Sequence, residues 1–330
     1  MLIHREPWKY SGRTPEFFTG QAGCYCCGGP TETTVVWFYG VKTGAVSIQD
    51  TDSYVEDAWT AKTDGPTPAR STCSAASIDA NAYVWGGTFT SSPFYLTENQ
   101  QFIHSTDTWT TKASMPAHRN EGVGVGLAAK AYSMCGSDSS FVPTRTTYQY
   151  TASSDSWATK TDAPTPPRKQ CRAFAIGDYG YLCGGINDLS AILNDNDQYD
   201  AAGDSWTAKT NMSAARTAGA GFVQEGTGVY ATGNKGSGVL ETGTDLYDAS
   251  ANSWSAGPTF GYSFSRVPRY LTTGGTAGGA AKGFVASGLS AAFPGETDNN
   301  DKLDLTVPEW TAGTAMPAPK RWHSVCTGAS

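Results

Sequence analysis

WATKTDAPTPPRKQCRAFAIGDYGYLCGG, residues 157–185, carries the pattern on which the fold turns. Trp157 opens it. A short polar run and a proline-rich turn follow, and Arg168 closes the turn. Two strand candidates, 169–176 and 179–185, then lead into the glycine pair that begins at Gly184. Two more, 196–201 and 205–209, complete a unit of four short strands, the last of them holding Trp206. Asp and Ser before each tryptophan (SSDSW, GDSW) read as turns, because their side chains bond nearby backbone.

The same marks recur along the chain. Trp59, Trp109, Trp157, Trp206, Trp254 and Trp310 are separated by 50, 48, 49, 48 and 56 residues. Seven residues before five of them stands a large apolar residue: Phe102, Tyr150, Tyr199, Tyr247 and Leu303. After each comes an arginine: Arg70, Arg119, Arg168, Arg216, either Arg266 or Arg269, and Arg321. Glycine follows the arginine by 16 or 17 residues at Gly86, Gly136, Gly184 and Gly233, and further glycine marks stand at Gly288 and, in CYCCGG, at Gly28. A period near 50 is longer than that of WD40 repeats and matches kelch blades.

The pattern resembles the kelch family, whose repeat carries a Gly-Gly pair and then a Tyr six residues before a Trp. The resemblance covers residues 22 to 329. It departs in two places: only three repeats have a true Gly-Gly pair, and the segment from Trp254 to Gly288 is too long and contains a Gly-rich stretch, Thr272 to Gly279. The resemblance implies an all-β chain, a six-bladed β-propeller of four-stranded blades. Physical reasoning leads the same way. One four-stranded sheet cannot bury both faces, whereas radial stacking buries them and leaves short edges. Tryptophan and tyrosine supply the area between blades, and the glycines fall where backbones crowd.

Closure of the ring has two candidate donors for the innermost strand of the first blade. RWHSVCTGAS, from Arg321 to Ser330, fits that strand and is favoured; the N-terminus is the rival, since Arg13 lies 15 residues before Gly28. Residues 1–20 fall outside the repeat and read as an N-terminal arm or attachment segment, and residues 21–330 as the propeller. The apolar run TVVWFYGV, from Thr34, reads as an extra strand packed on the first blade or as an interface patch.

Composition narrows the function. Charged residues make up 16 % of the 330 and the net charge is -7, which argues against a nucleic-acid binder with its basic excess. No stretch reaches the roughly 18–20 apolar residues that span a bilayer. MLIHREPWKY lacks the apolar core of a secretory signal, so the chain is expected either in the cytoplasm or outside by another route. Of eight cysteines, several fall at repeat-equivalent places (Cys73 and Cys171 after an arginine; Cys27, Cys135 and Cys183 before a glycine), as small packed residues do. Free thiols are therefore expected, with Cys171 and Cys183 as neighbours on adjacent strands. Cys24, Cys26 and Cys27 lack a second pair at zinc spacing. With only His4, His104, His118 and His323, a kelch-type copper centre is not expected. No metal and no cofactor are expected.

The most organised polar feature is the arginine series. Each arginine opens an innermost strand, so in a closed ring they surround one mouth, where guanidinium forks suit carboxylates. The alternative is that each one bonds neighbouring loop carbonyls or an Asp. Loop acids (Asp188, Asp195 and Asp197; Glu296, Asp298 and Asp301) read as solvated turns rather than a calcium site. No sialidase Asp box and no phosphate loop stand out. The favoured reading is a non-enzymatic binding or structural protein, a virion or surface component, contacting other proteins within a large assembly or a glycan. A cytoplasmic adaptor gripping an acidic peptide and an enzyme like the kelch-type sugar-acid mutarotases are the alternatives.

Overall fold

The computed structural model describes residues 35–42, 46–55, 58–89, 95–127, 129–236 and 239–259, together with strand segments between residues 269 and 327. Residues 1–34, which include CYCCGG, lie outside the described residues, as do Arg266, Gly288 and Arg321.

Among the described residues all regular structure is β: six antiparallel four-stranded sheets, with one two-stranded and one three-stranded sheet of short strands beside them. The second sheet is Ser74–Ile78, Asn81–Trp85, Asn99–Ile103 and Thr108–Lys112. The third is Val123–Leu127, Lys130–Met134, Thr147–Thr151 and Ser156–Lys160. The fourth is Arg172–Ile176, Tyr179–Cys183, Asn196–Asp200 and Ser205–Ala208, close to the four spans expected from sequence. The fifth is Ala220–Gln224, Thr227–Ala231, Thr244–Asp248 and Ser253–Ala256. The sixth is Thr273–Ala277, Lys282–Ala286, Asn300–Asp304 and Glu309–Ala312. In the first sheet the order is Ser324–Thr327, Val35–Lys42, Val46–Val55 and Ala58–Lys62, so a strand from the C-terminal end of the chain pairs with one from near its start.

The first strands of successive sheets lie beside one another from the second sheet to the sixth, and Ser324–Thr327 neighbours both Ser74–Ile78 and Thr273–Ala277. Being covered on both faces, these strands do not alternate. SAASI is buried throughout, whereas no residue of the outer TWTTK is fully buried. Their closeness demands small residues. A Cβ at Gly124 or Gly126 would fall 2.1 or 2.3 Å from the Ala75 or Ser77 carbonyl oxygen of the neighbouring sheet. The sixth sheet's first strand, Thr273–Ala277, lies within the Gly-rich part of the sequence.

The apolar-to-Trp spacing is a hairpin register. Phe102, Tyr150, Tyr199, Tyr247 and Leu303 sit directly opposite their tryptophans on adjacent strands. The four aromatic pairs have centroids 4.9–5.1 Å apart, an energetically favourable tilted arrangement. The indole N–H then reaches the preceding sheet: Trp109 donates to the Thr63 carbonyl at 2.9 Å, Trp157 to Ala113 at 2.8 Å, Trp206 to Thr161 at 3.0 Å and Trp254 to Thr210 at 2.8 Å.

The Asp two residues before Trp157 and Trp206 does more than shape its own turn. Asp155 accepts the Ala113 N–H of the preceding sheet at 2.8 Å and the Tyr150 hydroxyl at 2.6 Å; Asp204 accepts the Thr161 N–H at 3.0 Å and the Tyr199 hydroxyl at 2.7 Å. In the fifth sheet Asn252 makes the same two bonds without a charge, at 3.0 and 2.8 Å. Hydrogen bonds from Tyr150 and from the Ala113 N–H lower the Asp155 pKa. At Asp204 burial opposes the shift, but the Thr161 N–H and Tyr199 outweigh it. A carboxyl with a depressed folded-state pKa stabilises above its unfolded value and loses that contribution as pH falls. The melting temperature of the wild type should therefore fall between about pH 5 and pH 3 more steeply than that of Asp155→Asn/Asp204→Asn, which keeps the acceptors. Parallel acid limbs in calorimetry would refute this.

The first sheet corrects two expectations. Its second strand is Val35–Lys42, the apolar run read from sequence as an extra strand or interface patch. Its turn mark is Tyr39–Gly40 rather than Gly28. Tyr39 has φ 56° where Gly86 and Gly184 have 65° and 61°, and its ring is buried. Sequence spacing held the signal, since Gly40 precedes Trp59 by 19 residues, near the 21 from Gly185 to Trp206, while Gly28 precedes it by 31.

Candidate functional site

Each first strand begins, and each second strand ends, at the same end of the molecule. There the residue after the arginine pairs with the residue after the glycines: Ser71 with Thr88, Asn120 with Ser137, Lys169 with Ile186, Thr217 with Asn234. Arg269 pairs with Ser290 in the register of Arg168 with Asn187, which assigns the repeat position to Arg269 rather than Arg266.

The four arginines with described side chains point inward. Arg70, Arg119, Arg168 and Arg216 are 0, 7, 1 and 3 % exposed. Arg70 lies over the Tyr39 ring at 5.2 Å and donates to the Glu98 carbonyl at 3.0 Å. Arg119 donates to the His118 carbonyl at 2.6 Å and the Tyr148 hydroxyl at 3.3 Å. Arg168 pairs with Asp197, and Arg216 with Asp245 at 2.8 Å. Asp197 is thus a buried strand residue and not the solvated loop acid expected from sequence. Burial raises the Asp197 and Asp245 carboxyls, and the facing guanidinium opposes it. The backbone of the same arginines joins sheets: the carbonyls of Arg119, Arg168 and Arg216 accept the N–H of Gly87, Gly136 and Gly185 from the sheet before, at 2.8, 3.1 and 2.9 Å.

Two residues after each arginine is a position that sequence reading missed. Thr72, Glu121, Gln170 and Ala218 all have φ between 54° and 57°. Each of the last three donates its N–H to the carbonyl of the one before it, at 3.0, 2.9 and 3.0 Å, giving a chain of backbone bonds across four sheets. The four share no side-chain chemistry, so no residue-type signal marks them. Around this chain lies a polar belt. Gln170 donates to Glu121 at 2.7 Å, Lys169 pairs with Glu121 at 2.7 Å, and Thr217 donates to Gln170 at 3.2 Å.

Beyond the belt, three hairpin fingers project. Bridges between Ser137 and Pro143, Ile186 and Ile192, and Asn234 and Leu240 stand at their bases. Side-chain oxygens brace them from within: Asp138 accepts the N–H of Ser140 and Val142 at 2.8 and 3.1 Å, and Asn187 those of Leu189 and Ala191 at 3.0 and 2.8 Å. Their tips bear Phe141, Val142, Leu189 and Val239, which are 54, 52, 82 and 56 % exposed. Tyr95, at the matching base position in the second sheet, sits between His118 and Phe141, tilted to the first and edge-on to the second, with centroids at 4.8 and 5.8 Å. His118 bonds the Leu96 carbonyl at 3.0 Å, and burial lowers its pKa.

Cys73, Cys135, Cys171 and Cys183 are buried. Cys171 meets Cys135 of the preceding sheet rather than Cys183, whose sulfur lies 3.2 Å from the Asn196 side-chain oxygen. Among the described residues no three His, Cys, Asp or Glu side chains converge as a metal site would need, and no helix is long and apolar enough to cross a membrane.

No protein-family profile matches the chain, and no curated protein sequence does. Among solved structures it is similar to the structure of YjhT, with a TM-score of 0.72 at 15 % identity, over 89 % of this chain and 98 % of that one. The fold is a β-propeller. At that identity the likeness speaks for the propeller architecture alone, and the propeller's function has to be argued from its own residues.

Proposed function

We propose that this chain is a rigid propeller of six kelch-type blades, closed by its C-terminal strand, that binds a protein partner through the finger-bearing end without catalysis. Six four-stranded sheets, and a strand at Ser324–Thr327 that neighbours the first strands of both the second and the sixth, support the ring. The recurrence of Trp, Arg and Gly at equivalent places in successive sheets supports the kelch assignment.

The observation that carries the binding reading is the exposure of the finger tips. Of six large hydrophobic residues exposed among the described ones, four are on the fingers and a fifth, Tyr95, is at their base. Apolar groups clustered in this way mark contact surfaces, and the internal bracing lowers the ordering cost of association. Leu189, Val142 and Val239 offer no ring face for a sugar, so a protein surface fits better than a glycan. Asp188, exposed beside Leu189, favours a partner with lysine or arginine around its apolar patch. The arginines serve as scaffold, since the bonds their guanidinium groups do make go to own-blade carbonyls, carboxylates and the Tyr148 hydroxyl. The charge-poor composition suits a component of a particle or surface.

The test uses Phe141→Ser/Leu189→Ser/Val239→Ser. These exposed changes should move stability by less than about 1 kcal/mol, while a protein that co-purifies stoichiometrically with the wild type should be lost. Retention of that partner by the triple variant, or turnover of sialic-acid- or galactose-type sugars by the wild type, would overturn the reading.

A further inference from the structure

The interface between the third and fourth blades differs from its neighbours at one pair of positions. The first member is the residue of positive φ that follows a second strand, or at Tyr39 sits at a bulge within it: Tyr39, Gly86, Cys135 and Gly184 in the first four sheets. The second stands three residues after the next blade's arginine: Cys73, Gly122, Cys171 and Gly219. At two interfaces both positions are glycine, and at one they are Tyr39 and Cys73, which share a core cluster. At one alone, among these four, both are cysteine.

Packing shows that Cys135 is fitted to its place. A Cβ at Gly86 would meet the Met115 sulfur at 3.5 Å, and one at Gly184 would meet the Met212 methyl at 2.9 Å, so methionine fills the space beside those glycines. In the third blade the space beside Cys135 is bordered instead by Ala163, whose N–H bonds the Arg145 carbonyl just as Met115 and Met212 bond Thr97 and Asn194. Cys135, Ala163 and Cys171 belong to one buried cluster, in which the two thiols are neighbours across the blade interface. Arg168 lies beside both sulfurs. Its Nη2 holds Asp197, and its buried Nε and Nη1 have no hydrogen-bond partner. A cation with unused donors at a thiol favours the thiolate, the form that attacks an oxidant or a disulfide. Consistent with this, Cys171 is lowered: burial opposes the shift, and the Cys135 hydrogen bond and the Arg168 and Arg172 charges outweigh it.

We propose that Cys135 and Cys171 are a redox pair that joins the third and fourth blades by a disulfide when the protein meets a small peroxide. The Cys171 thiolate attacks one peroxide oxygen, the O–O bond breaks, and a sulfenic acid and hydroxide result. The Cys135 sulfur then attacks the Cys171 sulfur, the S–S bond forms and the S–O bond breaks, releasing a second water after proton transfer. In sum, two thiols are oxidised by two electrons and hydrogen peroxide is reduced to two molecules of water.

The test is peptide mapping of the full chain. Hydrogen peroxide-treated and reduced samples are unfolded with a thiol-blocking reagent present and digested without reductant. The expected product in the oxidised sample joins the Cys135 and Cys171 peptides with the loss of two hydrogens, and it coincides with a rise in Tm of about 3–5 °C. Cys135→Ala and Cys171→Ala should each abolish the rise. Wild-type maps keep the proposal testable should either variant fold poorly. Both thiols remaining free after oxidation, or either one appearing in a bridge to Cys183 or another cysteine, overturns it.

Discussion

Removing residues 321–330 should lower the melting temperature by more than about 10 °C or leave the chain insoluble. The physical ground is the pairing of Ser324–Thr327 with Val35–Phe38 and its position between the first strands of the second and sixth sheets. Without it the first sheet loses its innermost strand. Two neighbouring strands, each normally covered on both faces, are then opened to water, and an unpaired edge invites association with other chains. Differential scanning calorimetry and size-exclusion chromatography of the truncated protein test this. An unchanged melting curve would show that another segment supplies the strand and would refute closure by the C-terminal strand.

The second large effect is expected at Arg168. Its guanidinium and the Asp197 carboxylate are both buried, and removing one partner of such a pair strands the other, typically at a cost of about 3–5 kcal/mol. In a chain of this length that corresponds to a fall in Tm of about 5 °C for Arg168→Ala near neutral pH. The loss should also change the pH dependence. Burial already raises the Asp197 pKa against the opposing pull of Arg168, and without that pull it rises further. A carboxyl with a raised folded-state pKa contributes its stability below its unfolded value and loses it as pH rises. The variant should therefore lie closer to wild type at pH 4 than at pH 7.5, and Arg168→Met/Asp197→Leu, which leaves no stranded charge, should recover most of the loss. A variant of wild-type stability with weakened binding of an acidic partner would instead restore the arginines as a ligand site.

Much of the scaffold was legible because it is built from side chains that repeat. The Trp period, the aromatic seven residues before each Trp and the Arg position each correspond to one register in one hairpin or turn, so spacing alone located them. The first blade was misread because its turn is formed by Tyr39 at positive φ in place of glycine, and the glycine signal therefore pointed to Gly28. Asp197 was misread because alternation along a short strand does not distinguish a loop acid from a buried one that has a cation opposite.

The sequence by itself determined the strand content, the period, and which residues would stack between sheets, since those follow from side-chain volume and local spacing. Only the tertiary structure decided which way the arginines face, which cysteines meet and which loops project. Each of those depends on a partner from another blade about 50 residues away. The backbone chain through Thr72, Glu121, Gln170 and Ala218 is the plainest case, because it is made of carbonyl and N–H groups that every residue carries and only their placement around the propeller brings together.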